Sequence, residues 1–536
     1  MATSLAASGD AALMDCMTTE LLGKSMIGWS RSEGSEVFAH AVQPGSGAQL
    51  EPAYVCATDE EVERALSLAS FAFGDYSQRS GKERASFLRA IADGIEMVIE
   101  DIVARGQLET ALPEPRLRGE SGRTTGQLRM FADLIEEGSW VDARIEHAQP
   151  DRQPLPKPDL RSMQRPLGPV AVFCAANFPL AYSVAGGDTA SALAAGCPVI
   201  VIAHEAHPGC AEIIGHVVQK VAQQCGMPEG VFSLLYGGGP KVGQAVVRHP
   251  IIQAVGFTGS RAGGSALMEI AARREQPIPV FAEMSSINPV IFLKGALARG
   301  EKAVVEAFFG SLTLGVGQFC TNPGLVFLEE GSGDAFLTML KDLVEASSAG
   351  LMLHAGICEN YKKTTEATAA ANGVEILAAC KTHVGADEAA PVVFQVDIED
   401  FIANPNLQAE MFGPATLVVR GSIEKIHEAV TRLEGQLTAS IHGTDEELAA
   451  NADLVAALQG RAGRLICNGF PTGVEVCSSM VHGGPFPATS DGRTTSVGPL
   501  AILRFTRPVA RQGFPNAVLP AELQEGNPLG IQRYEV

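Results

Sequence analysis

The sequence predicts an α/β fold assembled from doubly wound, largely parallel sheets. Short, nearly uninterrupted apolar runs recur at Val170–Cys174, Val199–Ala203, Val231–Tyr236 and Ala254–Phe257. Helix-like stretches at Ala185–Ala195, Cys210–Cys225 and Lys241–Arg248 separate them. A strand that is apolar on both faces belongs under helices on two sides, and strand–helix alternation gives parallel pairing. A second series of the same kind begins near Val280 and runs to about residue 490, so the 536 residues suffice for two such units.

Taken in order, residues 60–112 and 120–138 read as helical. Glu60–Phe73, for example, carries apolar residues at i, i+3 and i+4. Pro150-Asp-Arg-Gln-Pro-Leu-Pro-Lys-Pro158 is too polar and rigid for a core element. No clean GxGxxG is present, and Gly237-Gly-Gly239-Pro-Lys241-Val-Gly243 matches it only loosely. Gly256-Phe-Thr-Gly259-Ser260-Arg261-Ala-Gly263-Gly264 is the better phosphate seat. It ends a strand and opens the helical run Ala266–Glu275, which leaves N–H groups pointing forward. A helix cap without a ligand is the plainer reading of the same residues.

Composition excludes several classes. A net charge of −21 repels phosphate backbones, and 6% aromatics with Trp 2 make a poor stacking platform, so no nucleic-acid partner is expected. Eleven cysteines occur without a CxxC pair or a His/Cys cluster at metal spacing. That pattern points to free thiols in a reducing compartment and to no metal site. Met1–Asp10 lacks a basic region followed by an apolar core, and no apolar run approaches the ~18 residues of a span. The expectation is a cytoplasmic protein without a membrane segment.

Three residue types point to chemistry. Cys320 sits between the glycine-rich approach Gly315-Val-Gly317-Gln318 and the turn Thr321-Asn-Pro-Gly324, so its backbone is held. A thiol there is a latent nucleophile. Glu283 places a lone carboxylate in the apolar run Val280–Pro289, and Asn177 follows the strand-like Gly168–Cys174. A cysteine, a carboxylate and a carboxamide supply a nucleophile, a general base and an oxyanion donor. Alone, Cys320 reads equally as a small buried apolar residue.

These motifs stand in an order that resembles the aldehyde dehydrogenase superfamily: Asn177-Phe178-Pro179, Gly256–Ser260, Glu283, Gly317-Gln-x-Cys320 and Glu410-Met-Phe412-Gly-Pro414. The likeness runs from about residue 50 to about 510. It implies a Rossmann-like dinucleotide-binding domain of residues 1–148 and 163–281, and a catalytic domain of 282–490. Residues 149–162 and 491–536 would form an oligomerisation flap and C-terminal tail, with Ala501–Arg507 as the flap's late strand. A homodimer or tetramer follows from such a flap.

The resemblance also implies roles. Cys320 attacks an aldehyde to give a thiohemiacetal, which becomes a thioester after hydride transfer. Asn177 and the Cys320 backbone N–H hold the oxyanion, and Glu283 activates the hydrolytic water. Because the family's coenzyme A-acylating branch lacks that carboxylate, the expected product is the acid. Gly256, Gly259 and Ser260 would face the cofactor's pyrophosphate, Glu410 the nicotinamide ribose, and Phe412 the nicotinamide. Ile202 stands where the family nearly always has a ribose-binding lysine, and Glu205 where its NAD users carry a glutamate. A carboxylate accepts from two ribose hydroxyls and repels a 2′-phosphate, so the cofactor is NAD, with NADP second and Lys241 or Arg261 as its only local cations.

The extended motifs Glu109–Leu117, Gly122–Arg129, Phe470–Cys477 and Met480–Pro487 are similar to those of the 2,5-dioxopentanoate (α-ketoglutarate semialdehyde) dehydrogenase subgroup. Arg123, Gln127 and Phe178 are then candidates beside the substrate. A solvated helix face or an internal ion pair is the alternative for Arg123 and Gln127. Medium- or long-chain fatty aldehydes are the alternative substrates, and a non-catalytic family member is the alternative role.

Overall fold

A computed structural model describes residues 20–297 and 301–536. Met1–Asp10 and Cys16 lie outside the described residues. Four helices, Asp59–Tyr76, Gly81–Met97, Ile99–Thr110 and Glu114–Glu137, precede the first parallel strands. Capping boxes start the first two. Thr58 exchanges hydrogen bonds with Glu61, and Ser80 does so with Glu83, which satisfies N–H groups that a helix start leaves free.

The first sheet has seven strands. Val280–Glu283, Ala254–Thr258, Val170–Phe173, Val199–Ile202 and Phe232–Leu235 run parallel in that spatial order, and the short hairpin Met26–Ile27/Ser30–Arg31 closes the far edge. Successive residues enter opposite cores. Val170, Val172, Val199 and Val201 pack into one, while Ala171, Phe173, Ile200 and Ile202 pack into the other. That is why these strands read as continuous apolar runs.

The second sheet repeats the plan with seven strands in the order Glu375–Ala379, Val392–Asp397, Ala415–Gly421, Leu325–Glu329, Pro289–Phe292, Gln436–His442 and Ala462–Cys467. All neighbours are parallel except the first pair. Here too alternate residues divide, with Ile291, Leu325 and Phe327 on one side and Val290, Val326 and Leu328 on the other. Val280–Glu283, read in sequence as the start of the second series, belongs to the edge of the first sheet.

A four-stranded sheet stands apart, ordered Thr506–Gln512, Leu160–Pro166, Arg144–Glu146, Tyr534–Glu535. The proline-rich stretch forms the loop between its inner strands, closed by a bridge between Gln149 and Lys157. The expected late strand Ala501–Arg507 begins five residues later. Pro499–Phe505 is instead a 3-10 segment, because Gly498 (φ 85) and Pro499 turn the chain and bury Ala501, Ile502 and Phe505 in the first core. The helix expected from Lys241 starts at Gln244 after a π-turn, and that expected from Ala266 starts at Arg261. Among the described residues no helix is long and apolar enough to cross a membrane.

Candidate active site

Glu283 ends the edge strand of the first sheet, and Cys320 lies five residues before the strand Leu325–Glu329 of the second. The thiol's backbone is set by a run of left-handed residues, Gly315 (φ 55), Val316 (φ 58) and Gly317 (φ 66). Glycine is required at 317, where a Cβ would come within 2.3 Å of the Gly413 backbone. Val316 has no such excuse, and a β-branched residue in that region stores strain beside the nucleophile. The far side of the loop is stitched down by Asn288, whose Nδ2 donates to the carbonyls of Cys320 (2.8 Å) and Asn322 (2.9 Å).

Segment 488–490 pairs along the edge strand. The Met284 N–H donates to the Ala488 carbonyl (2.8 Å) and the Ser490 N–H to that of Ala282 (2.9 Å). This docking carries in His482 and Ser496. His482 Nε2 lies 3.0 Å from Glu283 Oε1 and 3.7 Å from Cys320 Sγ, while Ser496 Oγ donates to Glu283 Oε2 at 3.0 Å. Burial pushes the Cys320 thiol well up, and the Glu283 carboxylate adds to it. Burial alone would raise Glu283 as well, but His482, the thiol and Ser496 outweigh it and hold the carboxyl below its ordinary value. The resting pair is therefore a thiol against a carboxylate, ready for a proton to pass from sulfur to oxygen.

Asn177 borders two cavities that meet at Cys320. Its Nδ2 donates to the Gln318 carbonyl at 3.0 Å, which orients the carboxamide beside the thiol and leaves its second N–H unused by that bond. The smaller cavity, about 310 Å³, is lined by Arg116, Arg123, Phe178, Tyr182, Phe319 and Val474 among others. Arg123 donates to the Val474 carbonyl (3.2 Å) and the Tyr182 hydroxyl (3.4 Å). Arg116 lies over the rings of Phe178 (4.5 Å) and Phe319 (5.0 Å) and pairs with Glu120 at 3.3 Å.

The larger cavity, about 940 Å³, runs from Cys320 past the C-terminal ends of the first sheet. Ile202, Glu205, Gly259, Ser260, Glu410 and Phe412 line it. Ser260 caps the helix Arg261–Ala272 by accepting from the Gly263 N–H at 3.2 Å, which leaves other N–H groups of that first turn facing the cavity. Burial raises the Glu410 carboxyl to about 7, against hydrogen bonds from Ser285 and Ser286. This shape and donor set fit an extended dinucleotide: a helix N-terminus for phosphates and carboxylates at two places for ribose hydroxyls.

Three expected residues stand away from these walls. Gly256 lies inside its strand, where a Cβ would come within 2.7 Å of Asp188 Oδ2, so its glycine serves packing. Lys241 points outward and pairs with Glu36 at 3.0 Å. Gln127 is buried one turn beyond Arg123, against Gly187. Arg261, the other cation near the cofactor cavity, is held bidentately by Glu434 (2.8 and 3.1 Å). Sequence reasoning passed over Arg116 and His482. Arg116 could have been found from its seven-residue spacing to Arg123, which puts both on one helix face. For His482 no local signal exists, since 162 residues separate it from Cys320.

A profile described as the aldehyde dehydrogenase family matches residues 29–487. Among curated proteins, the chain is 48% identical over 517 residues to alpha-ketoglutaric semialdehyde dehydrogenase 2 of Azospirillum brasilense, covering 96% of this chain and 98% of that one. It is 45% identical to alpha-ketoglutaric semialdehyde dehydrogenase of Acinetobacter baylyi over 481 residues, 89% and 91% of the two chains. Among solved structures, betaine aldehyde dehydrogenase from Staphylococcus aureus in complex with NAD+ superposes with a TM-score of 0.77 at 20% identity, covering 94% of this chain and 97% of that one. Lactaldehyde dehydrogenase from Escherichia coli does so with a TM-score of 0.78 at 22% identity, over 91% and 98%. With its profile spanning most of the chain and its thiol, carboxylate and carboxamide gathered at one point, this chain belongs to the aldehyde dehydrogenase family.

Proposed function

We propose that the protein oxidises 2,5-dioxopentanoate to 2-oxoglutarate, with NAD as cofactor. The observation that carries this reading is the pair of guanidiniums, Arg116 and Arg123, on the wall of the cavity that ends at Cys320. An aldehyde with a carboxylate at its far end meets the thiol at one end and cations at the other. The names of the two curated relatives point the same way.

In this reading Glu283 takes the Cys320 proton, the thiolate adds to the aldehyde carbon, and the Asn177 carboxamide donates to the developing oxyanion. Such a donor is worth about 3–4 kcal/mol of barrier. His482 shares Glu283 Oε1 and so steadies the carboxylate in the orientation that receives the proton. A bound nicotinamide supplies the hydride acceptor. Glu283 then passes that proton to solvent, draws another from the water that adds to the Cys320 thioester, and returns it to the departing sulfur as the acid leaves.

Glu205 and the apolar Ile202 line the larger cavity, and among the described residues the nearby cations Lys241 and Arg261 are paired with Glu36 and Glu434, an arrangement that favours ribose hydroxyls over a 2′-phosphate. Turnover measured with 2,5-dioxopentanoate, by the absorbance of reduced nicotinamide, should be rapid with NAD and slower with NADP. Ile202→Lys with Glu205→Ser should shift that ratio toward NADP. Equal turnover with uncharged aliphatic aldehydes of the same length would overturn the substrate assignment.

Among the described residues the outer strand Thr506–Gln512 pairs on one side only, and we propose that edge as the site of self-association into a dimer or tetramer. Light scattering that returned the mass of one chain would refute this. The ten described cysteines, all free, suit the reducing cytoplasm; recovery of the protein from an oxidising compartment would count against that location.

A further inference from the structure

We propose that Cys320, His482 and Glu283 form a reversible site for one soft divalent cation, best fitted by Zn2+, and that this ion arrests turnover by occupying the nucleophile. The three side chains each offer one ligand atom, and those atoms all lie within 4.8 Å of one another. Nε2 is 3.7 Å from Sγ and 3.0 Å from Oε1. Bonds of about 2.0–2.3 Å to a tetrahedral ion require ligand atoms roughly 3–4 Å apart, so small side-chain rotations close the site.

A thiolate, an imidazole and a carboxylate make the mixed donor set that favours Zn2+ over Mg2+ or Ca2+, which take oxygen ligands. The fourth position opens into the cavity of about 310 Å³, where water or a substrate oxygen completes the tetrahedron. Outer contacts are in place on two ligands. Ser496 Oγ holds Glu283 Oε2 at 3.0 Å, and Thr495 Oγ1 accepts from the His482 backbone N–H at 2.9 Å. Two protons are displaced and one returns: the thiol proton leaves to solvent as the sulfur–metal bond forms, and the proton that His482 Nε2 shares with Glu283 is given up as the nitrogen–metal bond forms and replaced by one on Nδ1.

That Nδ1 is buried without a partner. Metal-binding histidines ordinarily donate this proton to an acceptor that orients the ring, and its absence weakens the site. An ion that binds and leaves is the result, not a structural metal. Among the described residues the other cluster with ligand spacing, His147, Glu525 and Glu535, is more exposed and has no sulfur.

The binding claim stands on geometry alone, whereas the loss of turnover also rests on the proposed role of Cys320. Titration of the full chain with Co2+ separates the two. One equivalent should produce a sulfur-to-cobalt charge-transfer band and intense visible bands of a tetrahedral ion. Zn2+ should erase both, and turnover should fall in step and return with a chelator. Cys320→Ser should lose the charge-transfer band, and His482→Gln should weaken binding at least ~10-fold. Where the serine variant fails to fold, wild-type protein alkylated at Cys320 gives the same readout. A charge-transfer band that survives loss of Cys320 would assign the metal to a surface thiol and overturn the site, as would only the weak bands of an octahedral ion. The expected spectrum with undiminished turnover would overturn the nucleophile reading and leave the site standing.

Discussion

Cys320 and Glu283 set each other's proton affinity: burial and the carboxylate keep the sulfur protonated, while the thiol, His482 and Ser496 keep the carboxyl ionised. Attack therefore waits on a proton transfer, and hydrolysis needs the same carboxylate again. Glu283→Gln should therefore slow the first formation of reduced nicotinamide and also halt hydrolysis, so that no more than about one equivalent per chain appears, slowly, before the enzyme stalls at the thioester; steady turnover at the native rate would remove Glu283 from the mechanism. Glu410 makes a pH prediction. Its carboxyl, raised to about 7 chiefly by burial, is ionised only above that value. We propose that the ionised form accepts from both hydroxyls of a cofactor ribose, so NAD affinity should rise as pH passes upward through about 7 and level off above it. Calorimetric titrations across that range should show the rise, and Glu410→Gln should flatten it.

The helix Glu114–Glu137 joins the wall of the smaller cavity to the turn that carries Asn177. Arg116 and Arg123 face the cavity. Glu120, buried between them in sequence, accepts from the Leu180 and Ala181 N–H groups (2.9 Å each) and so fixes the turn that presents Asn177. A charge-assisted contact is worth about 1.5–3 kcal/mol. Arg116→Leu should therefore lower kcat/KM about 10- to 100-fold for the carboxylated aldehyde while an uncharged aldehyde is little affected. If both substrates suffer alike, Arg116 acts through Glu120 on the loop's shape. Four strands of the first sheet, Val170–Phe173, Val199–Ile202, Phe232–Leu235 and Ala254–Thr258, were legible because a doubly buried strand has to be apolar at every position, while the second sheet was read only as a further series of the same kind. The segment 499–505 was misread for a related reason: an apolar run records burial, not the backbone form in which it is buried.

At the scale of the molecule, the C-terminal region is locked to the cofactor domain by a buried ion pair. Arg504 reaches Asp188 at 2.6 Å, with both side chains largely shielded and Gly256 leaving room for the carboxylate. Removing one partner strands the other charge, at a cost of about 3–5 kcal/mol. Arg504→Met should lower stability by that amount in denaturant unfolding; a change under ~1 kcal/mol would mean the pair is solvated after all. The sequence by itself determined the alternation of strands and helices and the two-sheet plan, and it singled out Cys320, Glu283 and Asn177 as candidates. Each of those is written in local periodicity or in a contiguous motif. Only the tertiary structure decided that His482 joins them and that Arg116 shares their cavity. It also turned Lys241 and Gln127 away and gave Gly256 to Asp188. Those outcomes depend on which distant segments pack side by side, and His482, 199 positions after Glu283, carries no periodic trace of that contact.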